Sequence, residues 1–155
     1  MNVVVDASVA LKWFFRNDEG DIDAALAMLE AVDDARLTLH APPHFVAEVG
    51  AVLARESPST ARRSVANLLD VEMDVLVDRV ALARVVRRAV DLSLKLEHHL
   101  FDTLYHALAL DVPGTVLVTA DERYYRKAKR TGRIVRLADF AIAGPHDRRH
   151  FEDPS

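Results

Sequence analysis

Hydrophobic positions in this chain follow two alternating rhythms: short apolar runs, and longer stretches with a helical period. Asn2 to Val5 (NVVV) and Thr115 to Thr119 (TVLVT) are continuous and rich in β-branched residues, which suits strands buried on both faces. Leu37 to His40 and Ile134 to Leu137 read as two further strands, and Val75 to Val77 as a short fifth. Between them, Phe101, Leu104, Tyr105 and Leu108 recur at i, i+3, i+4 and i+7, so a helix starting near Leu100 should turn that face to a core. It is stopped by Val112, Pro113 and Gly114. The same spacing predicts helices through Ile22, Ala25, Leu26 and Leu29, and through Phe45, Val49, Val52 and Leu53 in His44 to Arg55. The acidic turn Asn17 to Asp21 offers N-caps to the first, and Pro42 and Pro43 open the second. After the turn Ser57 to Thr60, Val65, Leu68 and Leu69 mark another helix. Asp78 caps a long one, Arg79 to Lys95, whose apolar residues Val80, Ala83, Val86, Val90 and Leu94 alternate with a solvated row of Arg84, Arg87 and Arg88.

Strands alternating with helices predict an α/β fold, a three-layer sandwich whose mostly parallel sheet is covered by helices through right-handed crossovers. At 155 residues and 50% hydrophobic, the chain has enough apolar material for one domain, which we place at 1–140. Residues 141–155 read as a polar tail.

Cysteine is absent, which removes disulfides, thiolate metal sites and cysteine nucleophiles and fits a reducing compartment, so the expected location is the cytoplasm. Met1 to Val5 reads as a strand, not a targeting signal, and no stretch approaches the roughly 20 apolar residues of a membrane span. A net charge of -4 gives no global attraction to nucleic acid, so a polyanion partner must be met by a basic patch or by bound cations.

Four acids stand out against this frame. Asp6 and Asp121 each follow a buried strand, at the sheet edge where open α/β folds bind ligands. Glu48 and Asp102 lie near the start of their helices, at the margin of the apolar stripe, and helices that follow strands begin at that same edge. Each has an ordinary alternative: Asp121 an N-cap of the following helix, Glu48 a snorkelling side chain or a partner of Arg55 or Lys12. Taken together they converge. Two like charges about 4 Å apart repel by about 4 kcal/mol at an effective dielectric near 20, so such a cluster requires protons or cations. All-oxygen ligands select hard ions, Mg²⁺ or Mn²⁺, and the chemistry that follows is that of a metal-dependent nuclease. His98 and His99, being adjacent, point in different directions and read as surface or loop residues. The one dense basic segment, Arg123 to Arg133, begins two residues after Asp121; Arg123, Arg126, Lys127 and Arg130 are its candidates for RNA contact, against the alternative of a solvated helix face. No P-loop, GxGxxG or GxSxG is present.

The stretches VVVDASVALKWF, HFVAEVGAVL, LFDTLYHALAL and LVTADERYYRKAKRTG, in this order and spacing, resemble the PIN domain and in particular its VapC-type toxins. The likeness runs from Asn2 to about Phe140. It implies a metal-dependent ribonuclease whose four acids match Asp6, Glu48, Asp102 and Asp121, with Asp6, Asp102 and Asp121 as metal ligands and Ser8 and Thr119 as supporting hydroxyls. It also implies a homodimer held inactive by a VapB-type antitoxin. One departure is Ala51, where the family commonly has an asparagine three residues after the glutamate. Two other doubly wound folds fit worse: a phosphoacceptor receiver needs an acidic pair after the first strand and a late lysine at a strand end, and a dehalogenase-type phosphatase needs an aspartate where Ser8 stands. A catalytically inactive PIN scaffold is the remaining alternative, and the presence of all four acids weighs against it.

Overall fold

The computed structural model describes residues 1–16 and 20–142. Five strands, β1 (Asn2–Val5), β2 (Thr38–Ala41), β3 (Asp74–Val75), β4 (Thr115–Thr119) and β5 (Ile134–Arg136), make one sheet in the order β3-β2-β1-β4-β5, and every pairing is parallel. Successive strand residues point to opposite faces. Val3, Val4 and Val5 are nevertheless all buried, so β1 is covered on both sides and the molecule is a three-layer α/β sandwich. The covering helices are α1 (Ala7–Ala10), α2 (Ile22–Asp33), α3 (Phe45–Glu56), α4 (Ala61–Asp70), α5 (Arg79–Leu96), α6 (Leu100–Asp111) and α7 (Glu122–Ala128). The polar tail from residue 143 and the cap candidates Asn17 to Glu19 lie outside the described residues. Asp21 does precede α2, in a left-handed conformation, but its side chain makes no capping bond.

Strand order decides where a site can form. The chain builds outward from β1 through β2 to β3, then returns across the sheet to β4 and β5 on the other side of β1. The direction therefore reverses between β1 and β4, and a crevice opens at the carboxyl ends of those two strands. Their register, Val5 opposite Val118, brings Asp6 level with Thr119.

Helix α6 is the keystone of this arrangement. Thr103 through Ala109 are all buried, because α6 packs on β1, β2 and β4 and is itself covered by α5. The polar groups within that run are satisfied: Thr103 Oγ1 donates to the Ala89 carbonyl of α5 (2.8 Å), and His106 bridges the Gly132 carbonyl (2.8 Å) and the Tyr124 hydroxyl (3.0 Å). Phe101, expected on the buried stripe, is 48% exposed, since the helix begins at the rim of the crevice and only later enters the core.

Helix α5 also departs from its pattern. Its buried residues are Val85, Ala89 and Leu92, while Val80 and Leu94 are 72% and 74% exposed. The reason is that α5 lies on a neighbouring helix instead of the sheet, so a narrow i, i+4, i+7 seam suffices and the second apolar row is left outside. Arg84 is drawn from the solvated row into a two-pronged pair with Asp111 at 2.6 and 2.8 Å.

Candidate metal centre

Asp6 is the most constrained acid. One of its oxygens accepts from the Ser8 hydroxyl and from the Val9 N–H (3.3 Å), the other from the Thr119 hydroxyl. Burial pushes its pKa up to about 6; the Ser8, Thr119 and Val9 hydrogen bonds oppose that rise, and the nearby charge of Asp102 adds to it. The two hydroxyls also tie the strand ends together: Ser8 Oγ accepts from the Ala120 N–H (2.9 Å) and Thr119 Oγ1 from the Asp121 N–H (3.0 Å). Ser8 and Thr119 thus fasten the first acid to the segment that carries the fourth.

Asp121 is the N-cap of α7, accepting from the Tyr124 N–H at 3.0 Å through Oδ1, and it also lines the crevice with Asp102. Cap and cleft residue are therefore not alternatives. Asp102 sits in the first turn of α6, where burial raises its pKa, the His98 ring opposes this, and the charges of Glu48 and Asp121 add to it.

Glu48, in the first turn of α3, pairs with neither Arg55 nor Lys12. Its Oε2 accepts from the Tyr105 hydroxyl (2.6 Å) and lies 3.3 Å from His44 Nε2. Burial pushes Glu48 up, but these two partners outweigh it and hold the carboxyl below its ordinary range. Arg55 turns instead to Glu56 (2.7 Å), and Lys12 donates to the Gly20 carbonyl (3.0 Å). The His44 ring also stacks on Phe101, with centroids 5.1 Å apart, so the rim holds Glu48 in place.

His98 stands in the loop between α5 and α6, as expected, but its ring is turned inward and not to bulk solvent. Its side chain is only 8% exposed, and Nε2 lies 2.8 Å from Asp102 Oδ2. His98, Asp102 and Asp121 each offer one ligand atom within 4.8 Å of the others, a donor set that fits a divalent ion. Asp6 and Glu48 lie outside that tight group but within its electrostatic reach, Asp6 through Asp102 and Glu48 through the same residue. The signal missed in the sequence is the i, i+4 spacing of His98 and Asp102, which straddles the start of α6; adjacency to His99, which lines the same crevice against Phe101, concealed it.

The crevice, of about 650 Å³, is lined by Glu48, His98, Asp102, Asp121 and Arg123 among others. Of the basic candidates only Arg123 reaches it. Arg126 pairs with Glu122 at 3.4 Å, Lys127 donates to the Glu97 carbonyl at 2.8 Å, and Arg130 is exposed. A second hollow of about 560 Å³ is lined by Ser8, Lys12, Phe15, Arg55 and Ala120 among others. No helix among the described residues is long and apolar enough to cross a membrane.

No curated protein matches the chain. A comparison with family profiles matches residues 3–130 to the PIN domain, a family of nucleases that typically use divalent metal ions. That span runs from β1 to just beyond α7 and includes all four acids, and the chain belongs to the PIN-domain family.

Proposed function

We propose that this PIN domain is a metal-dependent endoribonuclease acting as the toxin of a type II toxin–antitoxin pair. The observation that carries the reading is the meeting of Asp6, Glu48, Asp102 and Asp121 at the one reversal of strand order, where Asp102 and Asp121 come within 4.8 Å. Asp6, Asp102 and Asp121 would hold Mg²⁺ or Mn²⁺. Such an ion, when bound, acidifies a water and stabilises charge on the leaving oxygen of a phosphodiester.

The chain's own residues divide the remaining work. Ser8 and Thr119 fix both oxygens of Asp6, so its carboxylate does not reorient as substrate arrives. Glu48 is kept ionised by His44 and Tyr105, both on Oε2, which leaves Oε1 to accept a hydrogen bond from the attacking water. A second hollow that includes Ser8 and Ala120, sequence neighbours of Asp6 and Asp121, gives a strand room beyond the crevice, which favours internal cleavage over trimming from an end. Arg123 meets a phosphate next to the scissile one.

Assignment to the VapC group, and to RNA, rests on the four motifs named above. It brings with it a homodimer, for which the exposed Val77, Val80 and Leu94 supply apolar surface, and a VapB-type antitoxin. An arginine of that antitoxin would replace the cation among the acids, pairing with a carboxylate through its planar fork. The deciding experiment is RNA cleavage by purified protein with Mg²⁺ or Mn²⁺, with excess EDTA, and by Asp102→Asn. Cleavage should require the ion and Asp102, and a small partner encoded beside this protein should copurify and suppress it. Full activity of a verified metal-free preparation would overturn the reading; binding of RNA without cleavage under any divalent ion would make the chain an inactive scaffold.

A further inference from the structure

Beyond the acids, the geometry points to His98 as a direct metal ligand, making this a mixed nitrogen and oxygen site that takes Mn²⁺ in preference to Mg²⁺. This rests on the metal-dependent reading above and adds to it the identity of one ligand and the class of ion.

Spacing is the first ground. At a metal–ligand distance of about 2.1 Å, adjacent donors of an octahedral ion lie about 3 Å apart and opposite donors about 4.2 Å. His98 Nε2 and Asp102 Oδ2, at 2.8 Å, already have the separation of adjacent ligands, and the whole group with Asp121 spans no more than 4.8 Å. Asp121 need close by no more than about 0.6 Å to stand opposite one of them and about 1.8 Å to stand beside the other, a movement within reach of a side-chain rotation.

Support of the ring is the second ground. The backbone of His98 is pinned twice by Ser93, whose Oγ donates to the His98 carbonyl (2.6 Å) and whose carbonyl accepts from the His98 N–H (3.1 Å). The imidazole packs 4.8 Å from the Tyr124 ring, and the Tyr124 hydroxyl is held in turn by the buried His106. Nε2 is therefore aimed at Asp102 by the corner between α5 and α6 and by α7, with little rotamer freedom to lose on binding. Mg²⁺ prefers oxygen and sheds water reluctantly, whereas imidazole suits the first-row transition ions, among which Mn²⁺ tolerates carboxylates equally well.

The test uses metal-free protein loaded with one equivalent of Mn²⁺ and read by pulsed electron paramagnetic resonance, with calorimetric titration of Mn²⁺ and of Mg²⁺ alongside. Expected is the hyperfine coupling of a directly bound imidazole nitrogen in the wild type and in His99→Asn, and its loss in His98→Asn. The Mn²⁺ Kd should rise at least about tenfold in His98→Asn, as even residues that only orient a ligand cost that much. The Mg²⁺ Kd should rise less than about threefold. Should His98→Asn fail to fold, ¹⁵N-histidine labelling of the wild type still decides whether a nitrogen is bound. Mn²⁺ that binds, and is lost in Asp102→Asn, without any bound nitrogen would reduce His98 to an orienting partner of Asp102 and overturn this inference alone. No Mn²⁺ binding at all would overturn the metal reading with it.

Discussion

Replacing Asp102 by asparagine separates the cost of the acid cluster from its use. Asp102 and Asp121 offer ligand atoms within 4.8 Å of each other, and at that distance two unit charges repel by at least about 3 kcal/mol at an effective dielectric near 20. Water screens much of this, since the Asp102 side chain is 30% exposed, and its bond to His98 offsets more. The portion realised is about 1 kcal/mol. Asparagine keeps the shape and can still bond His98, so the metal-free variant should melt about 2–4 °C above the metal-free wild type, the shift that 1 kcal/mol brings in a chain of this size. Added metal should reverse the order. An ion at 100 times its Kd stabilises the wild type by about 2.7 kcal/mol, roughly 5–10 °C, and the variant by far less. Thermal melts by circular dichroism in EDTA and in Mn²⁺ give all four values. Asp102 would be a structural residue outside the site if the variant melted well below the wild type in EDTA and metal raised both proteins equally.

Asp6→Asn should remove a pH dependence. A carboxyl raised from 3.8 to about 6 in the fold contributes stability that is fully present below its unfolded pKa and lost as pH climbs through about 6, a total of about 3 kcal/mol. Urea unfolding in EDTA between pH 4 and 7 should therefore show the wild type falling relative to Asp6→Asn by that order, and parallel curves would mean that Asp6 titrates normally. Tyr105→Phe deletes the hydroxyl on Glu48 and should cost about 1.5–3 kcal/mol in the same assay, the range for a hydrogen bond to a charged group; a loss under about 0.5 kcal/mol, the effect of an ordinary surface change, would show that His44 alone holds Glu48. In an Asp102→Asn background, Arg123→Gln should lower the salt slope of RNA binding by about 0.7, the counterion released per phosphate contact, while Lys127→Gln should leave it unchanged because that ammonium already donates to the Glu97 carbonyl. An equal effect of Lys127→Gln would mean that this contact opens when RNA binds.

What was legible in the sequence was whatever depends on local spacing and strand composition. NVVV and TVLVT are apolar at every second position on both faces, which only a doubly covered strand tolerates, so the sheet and the placing of Asp6 and Asp121 followed directly. What was illegible depends on tertiary neighbours. The outer row of α5 is as apolar as its buried row, and only the position of α6 decides which is covered. Phe101 keeps helical phase with the core yet lies at the rim, because α6 starts outside the sheet. Likewise, nothing in HFVAEVGAVL shows that Glu48 is held by Tyr105, which is 57 residues away.

The four acids share one further property that bears on the order of binding. Asp6 caps α1, Asp121 caps α7, Glu48 lies in the first turn of α3 and Asp102 in the first turn of α6. Each therefore faces a helix N-terminus, whose partial positive charge favours a carboxylate by about 0.3–1 kcal/mol, least for the four-residue α1. That field offsets much of the repulsion of about 1 kcal/mol realised between Asp102 and Asp121, but it leaves the formal charges of the acids in place. The four carboxylates consequently give the crevice a net negative potential, which attracts a divalent ion and repels a phosphodiester. RNA meets a favourable surface only after the charge is neutralised, with Arg123 as the one arginine or lysine among the residues lining the crevice. Cation first and polyanion second is the sequence this electrostatic balance imposes, and an antitoxin arginine placed among the same acids satisfies the first requirement while physically denying the second.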